Sequence, residues 1–233
     1  MTPAYLSIMA VAVTTGAYLS RRSQSDLPLG RTERWGIALG AFCGAMIGAK
    51  LPFVLTDLEG LRSGGAWLEN GKTIMTGLAG GYLGVELAKW ILEIRTKTGD
   101  SFAVPVAVSI GIGRIACFVA GCCHGVPTEW PWGVVFPQFG HMARHPTQLY
   151  ETAFHLTAAI VLWQIGRRDL LSGQRVKLYI IAYLFYRFAT ETIRPEPRML
   201  WDLTIYQWTA IVLLPVFVLL WVRDAQANSR PVA

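Results

Sequence analysis

Long apolar runs separated by short charged breaks constrain this chain more than any single motif does. Such runs recur near residues 3–20, 35–55, 73–93, 102–121, 147–166, 177–193 and 204–222. A helix of about 20 apolar residues is long enough to cross the hydrocarbon core of a bilayer. Charged residues make up only 15% of the 233 residues, and the mean hydropathy is +0.39. A soluble domain carries about 25% charge, so a water-soluble fold of this size could not cover its surface, whereas a lipid-facing one need not. The expected fold class is therefore all-α: a polytopic membrane protein with about seven transmembrane helices. No soluble linker or low-complexity stretch divides the chain, so residues 1–233 are read as one membrane domain.

Basic residues outside the runs set the orientation. With the N-terminus outside, the inner segments hold Arg21, Arg22, Arg31, Arg34, Arg95, Lys97, Arg167, Arg168, Arg175, Lys177, Arg223 and Arg230. The outer segments hold only Lys50, Arg62, Lys72, Arg144, Arg194 and Arg198. The bias favours an outside N-terminus and an inside C-terminus. It places segment 121–146 outside, where Trp130 and Trp132 suit the interface. The net charge of +6 is read as this flanking charge. No basic cluster stands apart from the runs, which argues against a nucleic-acid partner. The first run lacks a basic n-region and is followed by Arg21 and Arg22, so no cleavable signal is expected. Small residues in the second and third runs, such as Gly44, Gly48, Gly80 and Gly84, suit close helix packing.

An ionisable group at the bilayer centre costs roughly 2.5–3.5 kcal/mol on insertion scales, so each one needs a reason. Arg187, Glu191 and Arg194 are spaced by four and seven in the sixth run, which puts them on one helix face. Two arginines and one carboxylate leave a spare positive charge, and an arginine fork matches phosphate; a helix-end ion pair reaching for the interface is the plainer alternative. Arg114 and Cys117 share a face of the fourth run, completed by Gly121. Glu86 and Lys89, three apart, read as a mutual ion pair, with Tyr82 on the same face. The polar stretch from Arg144 to Glu151 opens the fifth run, and Gln148, Glu151 and His155 then share a face. This suggests a headgroup-facing site, against a plain helix start that favours Glu151 through the dipole.

Cysteines are few: Cys43, Cys117, Cys122 and Cys123. Three lie within seven positions, which is not the spread of a disulfide framework. Cys122-Cys123-His124 are zinc-ligand types, but the spacing does not match a closed four-ligand pattern, and adjacent cysteines are not expected to point at one metal. No metal site and no cofactor are assigned from sequence. A disulfide, a reactive thiol and small buried cysteines all stay open.

Taken in order, these motifs resemble those of a known family. Gly113-Arg114-Ile115 with Phe118 and Gly121 comes first. Then follow Arg144-His145-Pro146-Thr147-Gln148-Leu149-Tyr150-Glu151, and Tyr186-Arg187-Phe188 with Glu191 and Arg194. The set resembles the bacterial prolipoprotein diacylglyceryl transferases. His145 to Glu151 is the most specific piece; Gly80-Gly81, Leu83-Gly84 and Gly48-Ala49-Lys50 fit more loosely. The resemblance implies a multi-pass protein of the bacterial cytoplasmic (inner) membrane. It implies transfer of the diacylglyceryl group of phosphatidylglycerol to a lipobox thiol of an exported preprotein, at a site open to the outer side. This chain departs from the family in five places. Ala79 stands where the family has histidine, Cys117 and Ala120 where it has asparagine, Cys122 where it has glutamate, and Leu6 near a tyrosine position.

On this reading Arg114, His145, Cys117, Cys122 and Glu151 are the candidate catalytic residues, with His124 a second candidate base. Arg187, Arg194, Glu191, Gln148, Tyr150 and Gly125 are the candidate substrate-binding residues. Holding a phosphate and stabilising charge on the leaving group is an electrostatic task suited to arginines. Two other classes stay open: a Cys-dependent enzyme using Cys117 or Cys122 as a nucleophile or redox thiol, and a non-enzymatic binder or transporter of lipids or small solutes.

Overall fold

The structure is a computed structural model that describes residues 2–56, 60, 62, 65 and 72–229. Seven α-helices of 16 to 26 residues dominate it. They are α1 (Pro3–Gln24), α2 (Arg31–Thr56), α3 (Ile74–Ile91), α4 (Asp100–Val119), α5 (Thr147–Arg167), α6 (Arg175–Thr190) and α7 (Ile205–Ser229). Each coincides with one apolar run of the sequence. Of the seven, α1, α2 up to Val54, α4 and α7 up to Gln226 are long and apolar enough to cross a membrane. Arg230, counted above with the inner tail, lies outside the described residues.

Local chemistry sets the ends. Thr2 caps α1 by accepting from the Tyr5 amide at 3.3 Å, and Pro3 opens the first turn. α4 stops where Gly121 takes φ of 71°, a conformation glycine adopts freely. α6 ends at Thr190, followed by a 3-10 turn over Glu191–Ile193. Arg194 is then extended, at φ −109° and ψ 149°, because Pro195 disfavours helix in the residue before it. The sequence expectation that Arg187, Glu191 and Arg194 share one helix face is thereby corrected: Arg194 lies beyond the helix and points elsewhere.

Successive helices run in opposite directions. α2 and α3 touch along their glycines, where a Cβ on Gly40 would sit 2.5 Å from the Gly84 carbonyl oxygen. This is the backbone approach that small residues permit in lipid. α1 packs on α4 through Met9 beside Gly113. The core is one cluster of Met75, Ala79, Ile180, Tyr183, Leu184, Ala210 and Phe217, and a second of Ala103, Ala107, Ala159, Leu162 and Tyr179. Ala79 therefore packs on α6 and α7. Large apolar side chains such as Phe42, Leu83, Trp90, Phe185 and Leu219 point outward and are exposed, a surface suited to lipid. A two-stranded antiparallel ribbon, β1 (Val134–Val135) with β2 (Ala143–Arg144), folds the α4–α5 connection.

Candidate active site

The ends of α4 and α6 and the starts of α5 and α7 meet at one end of the bundle, and the polar residues singled out above collect there. Glu151, in the second turn of α5, is 2% exposed. It is paired on one oxygen with Arg114 Nε from α4, and on the other with Arg194 Nη2 at 2.6 Å. Glu191 pairs with Arg187 Nη1 at 2.6 Å and accepts from Thr204 Oγ1 at 2.9 Å. The Arg187 guanidinium also stacks over the Tyr206 ring at 4.7 Å. Tyr183 lies within electrostatic reach of Glu151, Arg187, Arg114 and Arg194 together, so the two ion-pair groups form one neighbourhood. Three buried arginines meet two buried carboxylates. The spare positive charge foreseen for α6 alone is thus a property of the whole cluster.

Desolvating such charges costs several kcal/mol each, so an ion cluster of this kind is a poor device for stability alone. Several polar atoms in and beside it also lack hydrogen-bond partners: Arg194 Nε, Gln148 Oε1 and His155 Nε2 are all enclosed. An anion with several acceptor oxygens suits the arginine donors. His155 itself is fully buried and bonded through Nδ1 to Tyr179 at 2.8 Å, which fixes its ring.

The loop after α4 crosses this site and is tied down along its length. Gln148 Nε2 donates to the Cys122 carbonyl at 2.5 Å, and Thr147 Oγ1 to the Cys123 carbonyl at 2.6 Å. Gly125 donates to the His145 carbonyl at 2.8 Å, and Val126 to the Ile193 carbonyl at 2.9 Å. A Cβ on Gly125 would lie 2.5 Å from the Ile193 oxygen and 2.7 Å from the His145 Cβ, so three strands of chain cross where only glycine fits. Gln148 and Gly125 thus place the loop, rather than standing free in a pocket. His145 and Tyr150 are half-buried, with Nδ1 and the phenol 3.2 Å apart. His124 is buried against Phe136 and Phe139.

The cysteines hold a second correction. Adjacent Cys122 and Cys123 were expected to point apart. Instead the sulfurs of Cys117, Cys122 and Cys123 all lie within 4.8 Å of one another. The turn at Gly121 and the left-handed Cys123, at φ 61°, fold the chain back to bring them together. All four cysteines are free thiols, with Cys123 exposed and Cys117 and Cys122 half-buried. Arg114 Nη1 reaches the Cys117 sulfur at 3.7 Å, as their shared helix face implied. Hydrogen bonds from Cys117 and then Cys122, helped by Arg114, hold the Cys123 thiol well below its ordinary range. Sequence reasoning missed Tyr5 of α1, which lies within electrostatic reach of all three cysteines. Its only signal was a tyrosine one position from Leu6.

A helical bundle with long apolar helices and an apolar outer surface defines a class, the multi-pass membrane proteins, here with a buried arginine–carboxylate cluster at one end. The family model described as "Prolipoprotein diacylglyceryl transferase" matches residues 3–223, and the chain belongs to that family. Its relatives include the phosphatidylglycerol–prolipoprotein diacylglyceryl transferase of Clostridium tetani, 30% identical over 83% of this chain and 81% of the relative. The protein of the same name from Cupriavidus pinatubonensis is 32% identical, covering 84% of this chain and 75% of the relative. That of Bordetella avium is 28% identical over 97% and 90%.

Proposed function

We propose that this chain is a transferase of the bacterial cytoplasmic membrane that moves the diacylglyceryl group of phosphatidylglycerol to a thiol acceptor, the acceptor being the lipobox cysteine of an exported preprotein. The observation that carries this reading is the buried cluster of Arg114, Arg187 and Arg194 around only two carboxylates. It offers a surplus of fork-shaped donors to one phosphate. Family membership and the names of the relatives support the same chemistry. In this reading all seven helices cross the membrane, with the N-terminus outside, the C-terminus cytoplasmic and the arginine end facing out.

The reaction is a displacement. The acceptor sulfur attacks the glyceryl carbon, the carbon–oxygen bond to phosphate breaks, and glycerol phosphate leaves with the electron pair. Negative charge grows on the leaving group, and fixed guanidinium groups in a water-poor site stabilise that growth. Glu151 and Glu191 hold the arginines apart and aimed. His145 stands half-buried with Tyr150 beside it, and Gln148 and Gly125 keep the cysteine loop in place.

Purified protein incubated with phosphatidylglycerol labelled in its acyl chains and a lipobox peptide tests the reading. The expected product is a thioether-linked diacylglyceryl peptide with release of glycerol phosphate. Absence of that product, with bound lipid recovered intact, would leave a binding protein instead.

A further inference from the structure

Phosphate binding gives no reason for three thiols to converge. Cys117 belongs to the last turn of α4, while Cys122 and Cys123 follow it in the loop, yet their sulfurs lie within 4.8 Å of one another. A non-glycine residue in the left-handed region costs on the order of 1–3 kcal/mol and persists only where its surroundings enforce it. Cys123 is such a residue. What enforces it comes from another helix: Thr147 and Gln148 of α5 grip the carbonyls of Cys123 and Cys122. None of the three is joined in a disulfide.

We infer that Cys117, Cys122 and Cys123 form a three-thiolate site for Zn²⁺, whose fourth position binds and deprotonates the acceptor thiol. Sulfur ligands select soft cations such as zinc. Three thiolates and Zn²⁺ leave one net negative charge, and the Arg114 guanidinium lies 3.7 Å from the Cys117 sulfur, close enough to offset part of it. Zinc–sulfur bonds of about 2.3 Å in a tetrahedron place sulfurs about 3.8 Å apart, a spacing compatible with three sulfurs that all lie within 4.8 Å of one another. Three protein ligands and one open position is the pattern of a zinc site that does chemistry, not of a closed structural one.

This inference rests on the transfer reading and supplies its missing part. The acceptor thiol binds zinc and gives its proton to solvent, since a metal-bound thiol is deprotonated outright. The bound sulfur then attacks the glyceryl carbon, the carbon–oxygen bond to phosphate breaks, and the electron pair leaves on glycerol phosphate beside the arginines. The product thioether is a weaker ligand and departs. No oxidant or reductant is consumed. A zinc-activated acceptor also removes the need for a base at position 79, where this chain has only Ala79 in an apolar core.

The experiment uses the full chain, purified in detergent with reductant and without a polyhistidine tag. Elemental analysis after exposure to micromolar zinc should find about one zinc per chain. Cobalt in its place should give sulfur-to-metal charge-transfer absorption that shifts on adding the lipobox peptide, but not its Cys→Ser version. Cys117→Ser, Cys122→Ser and Cys123→Ser should each lower occupancy at least fivefold, while Cys43→Ser, on the outward face of α2, leaves it unchanged. Cys123→His, which keeps a ligand, should retain metal and guards against a variant that merely misfolds. Less than a tenth of a zinc per chain, or a cobalt spectrum unchanged in the triple Ser variant, overturns the site. Metal binding with the peptide-dependent shift but no lipid transfer keeps the thiol site and sinks the transferase reading. Full-rate transfer by metal-free protein does the reverse.

Discussion

The two ends of the helix bundle both carry ion pairs, yet they use charge differently. At the end where α4 stops and α5 starts, each carboxylate is shared or oversubscribed: Glu151 serves Arg114 and Arg194, and Glu191 serves Arg187 and Thr204. These groups are nearly all enclosed. At the opposite end the pairs are more open to solvent, and Asp224 is shared by Lys177 and Arg223. Asp100 meets Arg175 at 3.2 Å and receives the Gly173 and Arg175 amides, and Lys177 meets Asp224 at 2.6 Å. A polar cavity of about 230 Å³ opens there, lined by Lys89, Arg95, Lys97 and Asp224 among others. Beside it is an apolar cleft that includes Tyr82, Glu86 and Phe102. Partly solvated pairs next to open space stabilise a helix end. A closed cluster with one spare positive charge is suited to receiving a charge from outside. A cavity is therefore a weaker guide to chemistry here than the enclosure of charge.

The largest contrast should come from Glu151 and Asp100. Glu151→Ala frees two buried guanidinium groups, and breaking a buried pair costs about 3–5 kcal/mol. Transfer should fall at least 100-fold, with a clear loss of thermal stability in detergent. Asp100→Asn should lower stability modestly and leave transfer within about twofold. Equal losses of activity from the two would end the distinction between the ends.

Next in size are the arginines. Arg114→Lys and Arg187→Lys keep the charge and lose the fork, so transfer should drop about 10- to 100-fold, consistent with the 1.5–3 kcal/mol of a charged hydrogen bond. If both variants match the parent, bidentate phosphate recognition is wrong.

A glycine pair compares the ends by packing alone. Gly125→Ala meets the Ile193 carbonyl at 2.5 Å, and overpacking of this kind costs about 1–3 kcal/mol. Gly99→Ala at the other end meets only the Val176 side chain at 2.8 Å, which can turn aside. Thermal melts should place Gly125→Ala well below Gly99→Ala. In the same series, a membrane-impermeant maleimide applied to intact cells after reduction and chelation should label Cys123. Because its thiol is held low, labelling should persist from pH 8 to pH 6, where an ordinary thiol of pKa about 8.5 loses most of its thiolate. Protection of Cys123 in intact cells, with labelling after lysis, would reverse the proposed orientation.

Much of the scaffold could be read from the sequence because hydropathy speaks for each helix separately. All seven runs became helices within a few residues. The pairing of Glu86 with Lys89 and of Arg114 with Cys117 followed from helical spacing, which is local. What failed was anything that depended on where a helix stops or what lies across from it. Arg194 left its expected face because Pro195 ends the helix early. Glu151 proved to be the partner of Arg114 and Arg194, a contact across 43 positions in the second case that no spacing rule gives. The cysteine convergence was hidden because it needs two left-handed residues and grips from α5.

The smallest expected effect tests whether the far end is scaffold in full. Lys89 Nζ lies 3.0 Å from Glu86, and the Glu86 side chain is 44% exposed. A helical pair of this spacing is worth about 0.2–0.5 kcal/mol, which for a chain of this size is a melting shift of about 1–2 °C. Glu86→Gln should therefore change the melt by no more than that and leave lipid transfer within about twofold. Both readouts matter. Glu86 borders the two clefts at that end, so a loss of transfer without a loss of stability would mean that lipid or leaving group passes through them. In that case the far end would serve as a path for substrate, and the division between a working end and a structural end would have to be redrawn around Glu86 and Tyr82.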